Sequence, residues 1–124
     1  MNSKRKGKAG ELEWCKFCRE HGFEAVRRTA QFCGNTGEAA DCVGLYGIHQ
    51  EVKRVEKLNI HEAMAQAERD AEAEGKGNMP IVAHRKNNTK WLVTMRAEDW
   101  FKLYSLSGIA PDCQKLVQKG RCSS

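Results

Sequence analysis

Apolar residues recur at helical spacing early in the chain, where Leu12, Trp14, Cys15, Phe17 and Cys18 fall together and Gly22 closes the run. That spacing predicts a first helix over about residues 9–21. FEAVRRT (23–29) alternates instead and predicts a strand, while QFCGNTGEA (31–39), with its glycines and asparagine, reads as a loop. Two strands follow at 40–45 and 48–55, joined by a tight turn at Tyr46 and Gly47. Ile60, Ala63, Met64, Ala67 and Ala71 mark one side of a second helix over about 60–74. Asn59 and Glu62 form a capping pair at its start, and Gly75 stops it. Residues 80–85 and 90–96 predict two further strands around a KNNT turn, and 97–106 a short helix with Trp100, Leu103 and Tyr104 inward. The order α-β-β-β-α-β-β-α predicts an α/β fold, a mixed sheet flanked by helices. Residues 1–8 read as a flexible basic arm and 107–124 as a weakly patterned tail; no repeat or internal boundary is visible, so 1–124 reads as a single domain.

Composition narrows the class. With 124 residues, 40% hydrophobic and 30% charged, the chain suits one globular core. No apolar run approaches the ~20 residues of a membrane helix, and the N-terminus lacks a secretory apolar segment, so a cytoplasmic location is expected. Net charge is +5, unevenly spread: residues 61–75 hold five acids against one base, leaving 20 bases and 11 acids elsewhere. That polarity fits a polyanionic partner on the basic side, and equally ordinary solvated charge. Of the six cysteines, Cys15 and Cys18 form the one metal-like spacing, with no second pair at finger spacing to complete a zinc site. They read better as small apolar residues on the core side of the first helix.

Chemistry concentrates in ADCV and HQEVKR. Strand side chains alternate faces, so Glu51 and Lys53 share one. A turn centred on Tyr46 sets Asp41 opposite Glu51, with Cβ atoms about 5 Å apart. Like charges at that separation repel and raise a carboxyl pKa unless a cation intervenes. Lys53 offsets part of this; a hard divalent ion such as Mg²⁺, which takes oxygen ligands, offsets more. Glu11 lies three, four and seven residues before Trp14, Cys15 and Cys18, on their inward stripe, where a carboxylate needs a partner. Each feature has a plainer reading: Glu11 as an acid favoured by the helix dipole, and Glu51 with Lys53 as a solvated cross-strand pair. Three acids and a lysine converging from three elements leave fewer such explanations.

Asp41, then Glu51-Val52-Lys53, preceded by GELEW with Glu11, resembles the PD-(D/E)XK nuclease superfamily over about residues 5–105. RKGKAGELE, VRRTAQF, ADCVGL, EVKRVEKL and VAHRKNNTKWLVTM are most similar to archaeal-type Holliday junction resolvases and their phage relatives. Ala40 stands where the superfamily usually has proline. The resemblance implies a restriction-endonuclease-like fold and Mg²⁺-dependent phosphodiester hydrolysis, with Mn²⁺ as a substitute. Asp41, Glu51 and the Val52 carbonyl would hold the metal, Glu11 would complete its shell, and Lys53 would act on the attacking water. Gln66 would support the site, or is simply a polar helix residue.

Charge supplies the substrate contacts: Lys4, Arg5, Lys6 and Lys8 on the arm, Arg27, Arg28, Arg54 and Lys57 around the acids, and Arg85 and Lys86 at the later turn. His84 reads as a phosphate contact or a strand-end residue. No aromatic series or arginine cluster announces base reading, which favours recognition of DNA shape and backbone. Paired nicks in a four-way junction require two sites, hence a homodimer. The alternatives are a nicking, repair or virus-type replication–repair nuclease on other branched or duplex DNA, and a non-catalytic nucleic-acid-binding protein.

Overall fold

A computed structural model of the chain describes residues 3–29 and 40–109, with side chains from Gly7 onward. The loop expected at 31–39, the end of the tail, Cys33, Cys113 and Cys122 lie outside the described residues. The observed order is α1 (Ser3–Glu20), β1 (Arg27–Arg28), β2 (Cys42–Val43), β3 (Ile48–Arg54), α2 (Ile60–Glu74), β4 (Met79–Arg85), β5 (Leu92–Met95) and α3 (Ala97–Leu106). The fold is the predicted α/β one: a five-stranded mixed sheet in the order β1-β2-β3-β4-β5, antiparallel from β1 to β3 and parallel between β3 and β4. By compactness the chain divides between Thr94 and Met95.

The two faces of β3 build two cores. Gln50 and Val52 face α1, where Trp14, Cys15 and Cys18 pack with Val26, Cys42, Val52 and Ala83. Trp14 donates its indole N–H to the Gln50 amide oxygen at 2.8 Å. The Cys15 and Cys42 thiols share a contact at 3.2 Å, and the three described cysteines, Cys15, Cys18 and Cys42, are buried free thiols, as the place of Cys15 and Cys18 on the apolar stripe of the helix suggests for those two. On the other face Ala63 and Ala67 of α2 pack on Val82, with Leu58, Ile60 and Met64 around them. Alanines let α2 lie close to the sheet, and that closeness brings its polar residues within reach of β3.

Both predicted stops of α1 and α2 are present. Gly22 adopts φ +97°; the Phe23 amide reaches Cys18 O and the Gly22 amide reaches Arg19 O, a Schellman closure. At α2, Asn59 accepts from the Glu62 amide at 3.1 Å and Gly75 is left-handed at φ +69°.

Three expectations are corrected. The basic arm is largely helix: α1 begins at Ser3, because Lys, Arg and Ala favour helix and two glycines, Gly7 and Gly10, do not stop a run this long. The first strand shrinks to Arg27–Arg28, since the residues before it form a turn, with the Val26 amide bonded to Phe23 O. And Trp100 and Leu103 are not inward, being 48% and 40% exposed; Tyr104 is half-buried, and no residue of α3 is fully buried. Trp100 stacks on Tyr104 at 5.4 Å, an i,i+4 pairing that a helix makes whether or not its face is covered.

Candidate metal centre

Asp41 stands immediately before β2. Cys42 is opposite Gln50, the register that a turn centred on Tyr46 predicts. One residue earlier the ladder gives way. The Asp41 amide donates to Gln50 O at 2.9 Å, its carbonyl accepts from the Thr29 amide, and its carboxylate accepts the Val52 amide at 2.8 Å. The side chain thus replaces a rung of the sheet. Direct strand pairing of Asp41 with Glu51 is therefore corrected to an offset approach. Burial first, then the Glu51 charge and also Glu11, push the Asp41 carboxyl up to about 7, against the pull of the Val52 amide and Lys53. Asp41 thus senses both of the other acids.

Glu51 is 2% exposed and points into a buried chain of polar groups under α2. Its Oε1 lies 2.9 Å from His49 Nε2, and His49 Nδ1 lies 2.7 Å from Glu74 Oε1. Burial pushes the Glu51 carboxyl up; the bonds to His49 pull it down, and a hydrogen bond shared with Asp70 pushes it up again. For His49, burial works against the charged form, but the contacts to Glu51 and Glu74 outweigh it and the imidazole pKa is raised. Among the described residues, His49, Glu51 and Asp70 place ligand atoms all within 4.8 Å of one another; Asp41 and Glu11 lie outside that group.

The other expected residues take mixed places. Lys53 extends over α2, where its Nζ meets Gln66 Oε1 at 3.4 Å, so Gln66 does touch the constellation. Glu11 finds its partner in Arg28, whose Nε donates to Oε1 at 2.9 Å. Arg54 and Arg85 both bond Glu13, and Arg54 also approaches Glu56 at 3.8 Å. Arg28, Arg54 and Arg85 thus have carboxylate partners in the fold, whereas Lys8, Arg27, Lys57 and Lys86 are exposed. Lys4, Arg5 and Lys6 belong to the backbone of α1, but their side chains lie outside the described residues. Val52 sits in the parallel ladder opposite Ala83. His84 is a strand-end residue bonded to Thr94 Oγ1 at 2.8 Å, and burial lowers its pKa. An open cleft of about 540 Å³ lies beside Lys53, lined also by Lys57, Gln66 and Arg69.

Sequence reading missed His49, Asp70 and Glu74. A signal for them exists. Two residues of strand advance about 6.6 Å and four of helix about 6 Å, so a helix running back along a strand meets it in step. His49, Glu51 and Lys53 at two-residue spacing match Glu74, Asp70 and Gln66 at four-residue spacing.

No described helix is long and apolar enough to cross a membrane. No family model, curated protein or solved structure matches the chain.

Proposed function

We propose that the protein is a Mg²⁺-dependent DNA endonuclease of the PD-(D/E)XK type, acting on branched DNA and most of all on four-way junctions. The observation that carries this reading is the charge-coupled set around Asp41. Burial first, and then the neighbouring Glu51 and Glu11 carboxylates, raise its own carboxyl to about 7, beside a lysine whose Nζ rests on Gln66. Binding nucleic acid alone has no use for acids gathered among bases.

The donor set suits a hard dication: carboxylate oxygens of Asp41 and Glu51, with the Val52 carbonyl and Glu11 to complete the shell. Such an ion, when bound, neutralises charge at the scissile phosphate and makes its water a better nucleophile. The chain's own residues do the rest. Lys53 orients or deprotonates the attacking water and meets charge developing on the phosphate, and Gln66 restricts where its ammonium can stand. The Val52 amide fixes the Asp41 carboxylate. Lys57 and Arg69 along the cleft offer the neighbouring phosphates a place. A two-fold dimer supplies the second site that paired nicks need.

The test is cleavage of labelled four-way junction, flap, fork and linear duplex in Mg²⁺. Symmetric paired nicks in the junction are expected, with Lys53→Ala lowering the rate by about 10²–10⁴ while DNA binding persists. Equal cutting of linear duplex removes the junction preference and keeps the nuclease. Wild-type rates in Lys53→Ala or Asp41→Asn remove the nuclease as well.

A further inference from the structure

The buried chain under α2 contains more than the nuclease reading uses. His49 offers a nitrogen, and Glu51 and Asp70 offer oxygens, from two elements packed against each other. Donors at adjacent corners of an octahedron with bonds of about 2.1 Å stand about 3 Å apart, and at opposite corners about 4.2 Å. His49 Nε2 and Glu51 Oε1 are 2.9 Å apart, and all three ligand atoms lie within 4.8 Å of one another. The His49–Glu51 pair already has the spacing of adjacent corners, and a small inward shift of the Asp70 side chain brings all three atoms onto one cation.

The back of the imidazole is arranged in the same sense. A histidine that binds metal through one ring nitrogen commonly gives the N–H of the other to a carboxylate, which sets its tautomer and ring angle. Glu74, itself buried and one helical turn beyond Asp70, stands 2.7 Å from Nδ1. With that proton given to Glu74, Nε2 keeps its lone pair on the side of Glu51, 2.9 Å away, with an Asp70 oxygen inside the same 4.8 Å group. Asp70 is half-buried, so the site has one side toward water for entry and for remaining ligands.

We infer that His49, Glu51 and Asp70 form a cation site of their own, oriented by Glu74, for a first-row transition dication of the Mn²⁺-to-Zn²⁺ series. Imidazole with two carboxylates suits these ions, whereas Mg²⁺ keeps to oxygen. The site needs neither Asp41 nor Glu11, and it stands or falls apart from the nuclease reading, although Glu51 is common to both. In the metal-free chain a proton between Nε2 and Glu51 occupies the place the cation takes, so loading displaces it.

The experiment uses chelator-stripped full-length protein without DNA, loaded with Co²⁺ or Mn²⁺ alone. Wild type is expected to give a visible Co²⁺ absorption band and an imidazole ¹⁴N modulation in pulsed EPR of the Mn²⁺ form. His49→Gln should abolish the nitrogen signal. Asp70→Asn and Glu74→Gln should each weaken Co²⁺ binding about 10–100-fold. Asp41→Asn should leave both signals in place while removing Mg²⁺-dependent DNA cleavage, which keeps the two readings separable. Asp70 is only half-buried, so its variant tests the site even if His49→Gln fails to fold. Absence of the ¹⁴N signal in wild type, its survival in His49→Gln, or unchanged Co²⁺ affinity in Asp70→Asn overturns the inference. So does loss of Co²⁺ binding in Asp41→Asn.

Discussion

Asp41 has its amide, carbonyl and carboxyl all committed to neighbouring backbone, and it lies near two other acids, Glu51 and Glu11. The consequence for stability has a definite sign. An unfolded Asp titrates near 3.8 and the folded one near 7, so the native state holds this proton more tightly. The contribution is full below the lower value and is lost as pH rises through the upper one. Three pKa units correspond to about 4 kcal/mol at most; Asp41 keeps some surface in water, which reduces this to about 1–3 kcal/mol. In chelator, Asp41→Asn should therefore gain stability over wild type as pH goes from 5 to 8, since its amide oxygen still accepts from Val52. Mg²⁺ at pH 8 should raise the melting temperature of wild type and leave the variant unmoved. Thermal unfolding followed by circular dichroism reads both, and parallel pH profiles with equal Mg²⁺ responses would remove Asp41 from the metal site.

Among the elements, α1 reaches the sheet through a glycine. A Cβ at Gly10 would stand 2.5 Å from Arg54 Cβ on β3, a rooted atom that cannot swing away. Gly10→Ala should cost about 1–3 kcal/mol and loosen the helix that carries Glu11, while Gly7→Ala, with open space around it, should gain about 0.5–1 kcal/mol. Denaturant midpoints of the pair measure this, and equal shifts would mean α1 does not sit on β3. Elements of this kind were legible where local chemistry decides: the Asn59 and Gly75 caps, the alanine stripe of α2, the Cys42–Gln50 register of the hairpin. They were less legible where tertiary context decides. Apolar periodicity assigns carboxylates to solvent, so Asp70 and Glu74 counted only among the five acids of residues 61–75; Glu74, buried against His49, and half-buried Asp70 beside it belong to the inner side. The apolar side of α3 was read as core by the same rule and is not buried. Of the proposed site, Asp41, Glu51 and Lys53 were visible as spacing and Gln66 came only with the resemblance; the histidine that holds Glu51 was not visible, because one His inside a strand carries no pattern of its own.

For the molecule as a whole, charge is the quantity that the fold redistributes. Five of the acids fall within residues 61–75, and the rest of the chain carries 20 bases against 11 acids. Folding then ties Arg28 to Glu11, and Arg54 and Arg85 to Glu13, so these arginines serve structure first. Lys57 and Lys86 are exposed and cost the fold little to replace. Each cation that contacts a DNA phosphate adds about 0.9 to the slope of log affinity against log salt. Replacing Lys57 and Lys86 together by Ala should flatten the slope for junction DNA by about 2 and leave the melting temperature unchanged. Arg54→Ala and Arg85→Ala should do the reverse, lowering the melting temperature because Glu13 loses a partner, with a smaller effect on the slope. Binding titrations from low to moderate salt, in Ca²⁺ or chelator to prevent cutting, separate the two groups. If the slope is the same in the double lysine variant as in wild type, DNA does not lie along the Lys53–Lys57 cleft, and the basic excess is solvated charge.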